Sequence, residues 1–218
     1  MPDPTFTPTL RSALADHLPA PSSPEAQAQA GVRVAEWPDV ACIVLRGRAD
    51  DAAFLAASQA AAGISLPTQP GTFTTSASAA ALWISPDEWW LLAPRLARDG
   101  MVAALRQATT GLHAQVADNS GSVACLQLAG AQHVSLLRHL SPYDFESLGI
   151  GRCVSTVFPR ASVTVLRANH EGVLLLFRRS FADWVWRLIE RNAKPYSLAV
   201  CAPHDLPAPG VAALRADR

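Results

Sequence analysis

One octapeptide occurs twice in this chain. VACIVLRG (40–47) is echoed by VACLQLAG (123–130), an offset of 83 residues, and the offset persists along the sequence. Each copy leads into a segment of helical character, 50–61 in the first and 131–140 in the second. Each then offers two apolar runs about a polar break, LWISPDEWWLLA (82–93) and TVLRANHEGVLLLF (164–177), with Glu88 falling on Glu171. An amphipathic stretch follows in both, 97–109 and 181–193. Each copy closes on a short strand-like run, HAQVA (113–117) against YSLAV (196–200), again 83 apart.

Read in order, the elements give β-α-β-β-α-β twice, the split βαβ arrangement. The expected class is therefore α+β: two ferredoxin-like β-α-β-β-α-β halves related by pseudo-twofold symmetry. The first half is read as 40–121 and the second as 122–201. Residues 1–39 carry seven prolines and little periodicity, apart from Leu10, Leu14 and Leu18 at helical spacing, with Pro19 ending that run. They are read as an arm and linker that orders against a partner. Residues 202–218 are again proline-rich and are read as a flexible tail.

The first hairpin holds three of the six tryptophans. Pro86 presets φ for a turn and Asp87 tolerates the next position, so Ser85–Glu88 reads as a four-residue loop. Leu82 and Ile84 share one face of the first arm and Trp83 takes the other. The second arm is apolar on both faces, which predicts cover on both. The chain's own helices supply one cover, and the second is either a partner chain or more of the chain's own core. Trp83, Trp89 and Trp90 are accordingly divided between core and subunit interface. The stretch 181–193 is the best-defined helix, with Ser180 as N-cap and Asp183 near a capping-box position.

Half the residues are hydrophobic and 17% are charged, a globular composition, with 18 basic and 18 acidic residues balancing. That balance predicts no electrostatic capture of nucleic acid or of an anionic membrane. No apolar run reaches the roughly 18 residues of a membrane span. MPDPTFTPTL lacks the basic and apolar regions of a secretory signal, so a cytoplasmic location is expected. The cysteines at 42, 125, 153 and 201 form no CxxC pair, which predicts buried thiols and no metal. The six histidines show neither HxH nor HExxH spacing, and there is no GxSxG, GxGxxG or P-loop. No catalytic residue, cofactor site or metal ligand is expected. Asp118-Asn119-Ser120-Gly121 joins the halves as a turn, with a central channel between them as its functional reading.

Five pieces carry a resemblance in order: LWISPDEWWLL, DNS (118–120), LAGAQHV (128–134), SPYD (141–144) and FRRSFA (177–182). Together they resemble the W-x-GPDEWLL, D-V-S, L-x-G-P-x-A, C-P-x-D and V-x-RSFA pieces of the gamma subunit of heterotetrameric sarcosine oxidase. That family belongs with the glycine-cleavage T-protein, whose folate-binding fold is also built from related halves. The resemblance implies a non-catalytic structural subunit with alpha, beta and delta partners. The complex would demethylate sarcosine oxidatively to glycine, forming peroxide and passing the methyl carbon to tetrahydrofolate. FAD, FMN, NAD, zinc and tetrahydrofolate would lie in the partner subunits. Ser155-Thr156 stands where the family tends to show Arg-Thr, making these two the first candidates for a retained folate-like channel with Asp118, Asn119 and Ser120. Serine cannot make the paired hydrogen bonds by which arginine holds a carboxylate. The alternative is a free-standing tetrahydrofolate-binding or one-carbon-transfer protein of the same fold. A third is an interaction module without either role.

Overall fold

The computed structural model describes residues 11–215. In chain order the elements are α1 (Pro24–Gln29), β1 (Val32–Glu36), β2 (Val40–Arg46), α2 (Ala52–Ala62), β3 (Phe73–Thr75), β4 (Ala80–Ser85), β5 (Glu88–Pro94), α3 (Arg98–Ala108) and β6 (Gln115–Asp118). The second half continues with β7 (Val123–Ala129), α4 (His133–Leu140), β8 (Arg152–Phe158), β9 (Ala161–Arg167), β10 (Gly172–Arg178), α5 (Ala182–Ala193) and β11 (Leu198–Val200).

The duplication is visible in the sheets. One sheet runs β3-β4-β5-β2-β6, and its last four strands have the ferredoxin-like order. The other runs β11-β1-β7-β10-β9-β8. There β9-β10-β7 repeat β4-β5-β2, and β8 sits outside β9 as β3 sits outside β4. The edge strands β3 and β8 are additions to the β-α-β-β-α-β pattern of the sequence.

Burial follows the period-2 alternation of each strand. Ile43, Leu45, Trp89 and Leu91 face α2 and α3, where Phe54 and Leu105 are fully buried. Leu126, Leu128, Leu175 and Phe177 face α4 and α5, against Leu137, Val185 and Ile189. The opposite faces meet each other: Cys42, Leu82 and Leu92 of the first sheet pack with Cys125, Leu174 and Leu176 of the second. The result is four layers, helices–sheet–sheet–helices, with three apolar strata. Of the two readings of the second cover, the structure has the chain's own core: that face of the first sheet packs against the chain's second half.

Helix α2 is alanine-rich, a strong intrinsic preference. Asp51 caps it by accepting from the Ala53 and Phe54 amides, and Gly63 ends it at φ +66. The expected Ser180 cap on α5 does not form. A 3-10 turn, Arg179–Phe181, leads straight into the helix, and Phe181 holds the N-cap place without a side-chain bond. Leu14 lies in a turn rather than a helix and is fully buried; Leu10 is outside the described residues.

Both terminal segments correct the sequence reading. Residues 32–36 are not a linker but a strand of the second half. β1 pairs antiparallel with β7 (Val34↔Leu128) and parallel with β11 (Val32↔Leu198). It therefore separates β7 from β11, where the first half pairs β2 directly with β6. The signal was present in V-R-V-A-E, whose Val32 and Val34 are fully buried. The tail beyond Cys201 is not free either. Leu206, Ala208, Val211 and Leu214 are all buried, the last three in the stratum between the sheets.

Candidate functional site

The tryptophan hairpin turns more tightly than the sequence suggested. Ser85 pairs with Glu88, so the loop is only Pro86-Asp87, and the register shifts between Trp83 and Ser85. Ser85 Oγ donates to Asp87 Oδ1 at 2.8 Å and Arg46 Nη2 to Asp87 Oδ2 at 2.6 Å. The Ser85 bond, then the Arg46 bond and charge, holds the Asp87 carboxyl below the usual carboxylate range. A two-residue turn is thus stitched back to β2.

The three tryptophans have separate environments. Trp89 is 0% exposed, 5.7 Å from the Phe54 ring, and its Nε1 donates to the Pro67 carbonyl at 2.8 Å. Its side chain is core and unavailable to a partner. Trp83, cross-strand from Trp89, and Trp90 are partly exposed. Trp90 Nε1 donates to Glu88 Oε1 at 2.9 Å, which holds the indole at the rim of the inter-sheet stratum.

The turn residues divide between structure and surface. Ser120 is buried; its Oγ accepts from the Cys42 amide at 3.1 Å, and its own amide donates to Asp118 Oδ1 at 2.9 Å. The Asn119 amide donates to the Cys42 carbonyl at 2.8 Å. Asp118 is exposed, with Oδ2 3.7 Å from Arg98 Nε. Burial, with the Asp118 and Glu88 charges, pushes the Cys42 thiol up to about 12.

Ser155 and Thr156 lie elsewhere, on β8. Ser155 Oγ is 3.0 Å from Thr164 Oγ1 on the neighbouring strand, and Thr156 Oγ1 is 2.8 Å from Ser141 Oγ beyond α4. β8 meets the first sheet at its β3 edge, through the Thr72↔Arg152 bridge. Asp118–Ser120 end β6 at the opposite edge of that sheet. The five channel candidates are not brought together.

Among the described residues, those between the sheets form an apolar cluster that includes residues of the tail. The stratum is apolar, and the tail closes its open end. Gln127 Nε2 donates to the Pro207 carbonyl at 2.7 Å, and a residual space of about 10 Å³ remains beside Ala208 and Val211. That is room for one water at most.

His133 is buried and places Nδ1 2.7 Å from the Gly130 carbonyl, and burial lowers its pKa. Among the described residues no three His, Cys, Asp or Glu side chains cluster as a metal site requires. No described helix is long and apolar enough to cross a membrane.

Comparison with known proteins agrees with this geometry. Residues 46–194 match the family described as Sarcosine oxidase, gamma subunit family. A curated relative, sarcosine oxidase subunit gamma of Corynebacterium sp. (strain P-1), is 30% identical over 131 residues, 59% of this chain. The match spans 64% of that relative's length. Among solved structures, heterotetrameric sarcosine oxidase from Corynebacterium sp. U-96, in complex with pyrrole 2-carboxylate, contains a similar chain. It aligns with a TM-score of 0.74 at 25% identity, covering 87% of this chain and 97% of that one. Aminomethyltransferase T of the glycine cleavage system from Bartonella henselae shares the fold, with a TM-score of 0.59 at 13% identity, over 81% of this chain and 50% of that one.

Proposed function

We propose a role from one premise: this chain belongs to the sarcosine oxidase gamma subunit family. It serves as the gamma subunit of a heterotetrameric flavoenzyme that oxidatively demethylates sarcosine to glycine. Peroxide is formed, and the methyl carbon passes to tetrahydrofolate. The alpha, beta and delta subunits are its partners, and FAD, FMN, NAD, zinc and tetrahydrofolate are bound by them. The chain contributes assembly and rigidity rather than reacting groups.

The observation that carries this reading is the near-complete coverage, 97%, of a chain from a heterotetrameric sarcosine oxidase. Three features of the molecule support it. Its polar clusters are spent on turns and caps. Its own tail packs Ala208, Val211 and Leu214 between the sheets, which speaks against the free-standing folate-binding reading. Its partly exposed aromatics, Trp83 and Trp90, are the residue type on which subunit interfaces concentrate their binding energy. Four free, buried cysteines are in keeping with a reducing, cytoplasmic setting.

The test is the native mass and visible spectrum of the protein purified gently from its own cells. The expected result is an assembly far larger than the 23.2 kDa chain, yellow with flavin and consuming oxygen on addition of sarcosine. A colourless monomer without companions overturns the subunit role.

A further inference from the structure

A subunit needs a surface to dock, and the sheet edges are the places to look for unpaired backbone. Three of the four edges offer little. β3 and β11 have three residues each and β6 has four. β11 is also covered: the Ser22 amide donates to the Val200 carbonyl, and Ser22 Oγ accepts from the Val200 amide.

β8 is different. It is seven residues long and pairs only with β9 among the described strands. Phe158 and Ala161 close the hairpin, so Val154 and Thr156 direct their backbone groups toward β9, and Cys153, Ser155 and Val157 direct theirs outward. The Cys153 amide is taken by the Gly71 carbonyl at 2.9 Å. Ser155 and Val157 have no such backbone partner among the described residues. Exposed edges are commonly protected by charge, proline or a bulge. Here Val157, β-branched and 56% exposed, stands in the open part of the edge.

The surroundings add a charge preference. A groove of about 600 Å³ runs beside the strand, lined by Val157 and Pro142 with Arg138, His139 and Arg160, and among the described residues no carboxylate lines it. Arg160 makes no ion pair among the described residues, and Arg138 has one, with exposed Glu146. Arg160 sits at φ +65, in the left-handed region that side chains other than glycine seldom adopt. Two contacts hold it: its guanidinium lies 5.6 Å from the Trp184 ring centre, and Trp184 Nε1 donates to the Pro159 carbonyl at 2.6 Å. The hairpin tip is a preset cation beside a bare strand edge.

We propose that β8 receives an extended, acidic segment of a partner subunit as an added antiparallel or parallel strand. The inference rests on the subunit role proposed above. The segment bonds the outward backbone groups of Ser155 and Val157, sets an apolar side chain on Val157, and directs carboxylates to Arg160 and Arg138. This is strand addition, with backbone bonds for affinity and the cationic groove for selectivity.

The experiment uses the co-expressed complex and two single variants, Val157→Lys and Arg160→Glu. Each is expected to lower recovery of partner subunits with the tagged chain about tenfold, while the isolated chain melts within about 2 °C of wild type. Hydrogen exchange on the wild type gives a second readout independent of variant folding: the Ser155 and Val157 amides slow on assembly. Undiminished recovery with both variants, or equally fast exchange of both amides inside an intact complex, overturns the β8 site and leaves the subunit role standing. Protection that arises in the chain alone, with doubled mass, assigns the edge to a second copy and overturns it as well. A wild-type chain that recovers no partners at all instead removes the subunit role.

Discussion

Arg215 lays its guanidinium over the indole of Trp37, 4.5 Å from the ring centre. Both side chains then converge on one oxygen: Arg215 Nη2 and Trp37 Nε1 donate to Gln127 Oε1 at 2.8 and 3.2 Å. Trp37 immediately follows β1, Gln127 lies at the centre of β7, and Arg215 is the last described residue. One cluster therefore fastens the N-terminal segment, the second sheet and the tail at the mouth of the inter-sheet space.

From that cluster follows a ranking. Arg215→Ala removes a cation–π contact and two hydrogen bonds, and is expected to cost about 1–3 kcal/mol. Deleting 206–218 also strips Leu206, Val211 and Leu214 from the interior, a loss of about 5–9 kcal/mol at 1.5–3 kcal/mol per side chain. Urea unfolding checks the order, and the truncated chain should bind a hydrophobic dye that the full chain does not. Equal midpoints for full-length and truncated chains would show that the tail contributes nothing to the closed sandwich.

The tryptophans separate fold from assembly. Trp89→Ala empties a fully buried site and orphans the Pro67 carbonyl, so about 3–5 kcal/mol of stability is expected to go. Trp90→Ala, at a partly exposed position, should cost about 1–2 kcal/mol in the isolated chain. Its larger effect is expected in the yield of assembled complex. Melting curves of the lone chain, set beside co-purification yields, distinguish the two. Trp90→Ala chains that assemble as well as wild type would remove Trp90 from the interface.

The contrast between these residues indicates what a sequence of this kind discloses. The duplication was legible because β2 and β7 are buried on both faces and tolerate few side chains, so VAC survives in both copies. The helices were legible from their apolar stripes. What escaped was decided by long-range packing. β1 reads as linker until β7 offers it an edge, and LPAPGVAAL reads as frayed tail until the sheets leave an apolar slot of matching depth. Ser120 looked like a turn residue facing a channel; its hydroxyl instead holds the Cys42 amide, a partner 78 residues away. Ser155 and Thr156 stand out only through the family resemblance, which says nothing about the strand edge on which they stand.

Gly130 tests the seam that the inserted strand creates. Its φ is +103, and a Cβ there would lie 2.5 Å from the Gly31 carbonyl oxygen, just before β1. Gly130→Ala therefore combines an unfavourable backbone conformation with a clash against main chain, and is expected to cost about 2 kcal/mol or more. The loss should localise. Hydrogen exchange should accelerate first at β1 and at the Gln132 amide, which donates to the Gly31 carbonyl. Uniform acceleration across both sheets would instead mean that β1 unfolds only with the whole molecule.

Buried thiols make stability fall on the alkaline side. Burial, ahead of any charge, pushes Cys42 up to about 12 and Cys153 up to about 11, and pushes Cys125 up as well. In the unfolded chain the same thiols ionise near about 8.5. Between the unfolded and folded values the native state holds more protons, so stability is complete below the unfolded value and is lost as pH climbs toward the folded one. Each thiol contributes a slope of about 1.4 kcal/mol per pH unit across that window. Urea midpoints at pH 8 and pH 10 should show the decline, and Cys42→Ala should flatten it by one thiol's share even if the substitution lowers stability at both pH values. Alkylation gives an independent check, since native Cys42 and Cys125 should stay unmodified at pH 8 until urea opens the sandwich. A midpoint that holds constant from pH 8 to pH 10 would mean that these thiols reach solvent in the folded chain, and that the two sheets part far more readily than their apolar stratum implies.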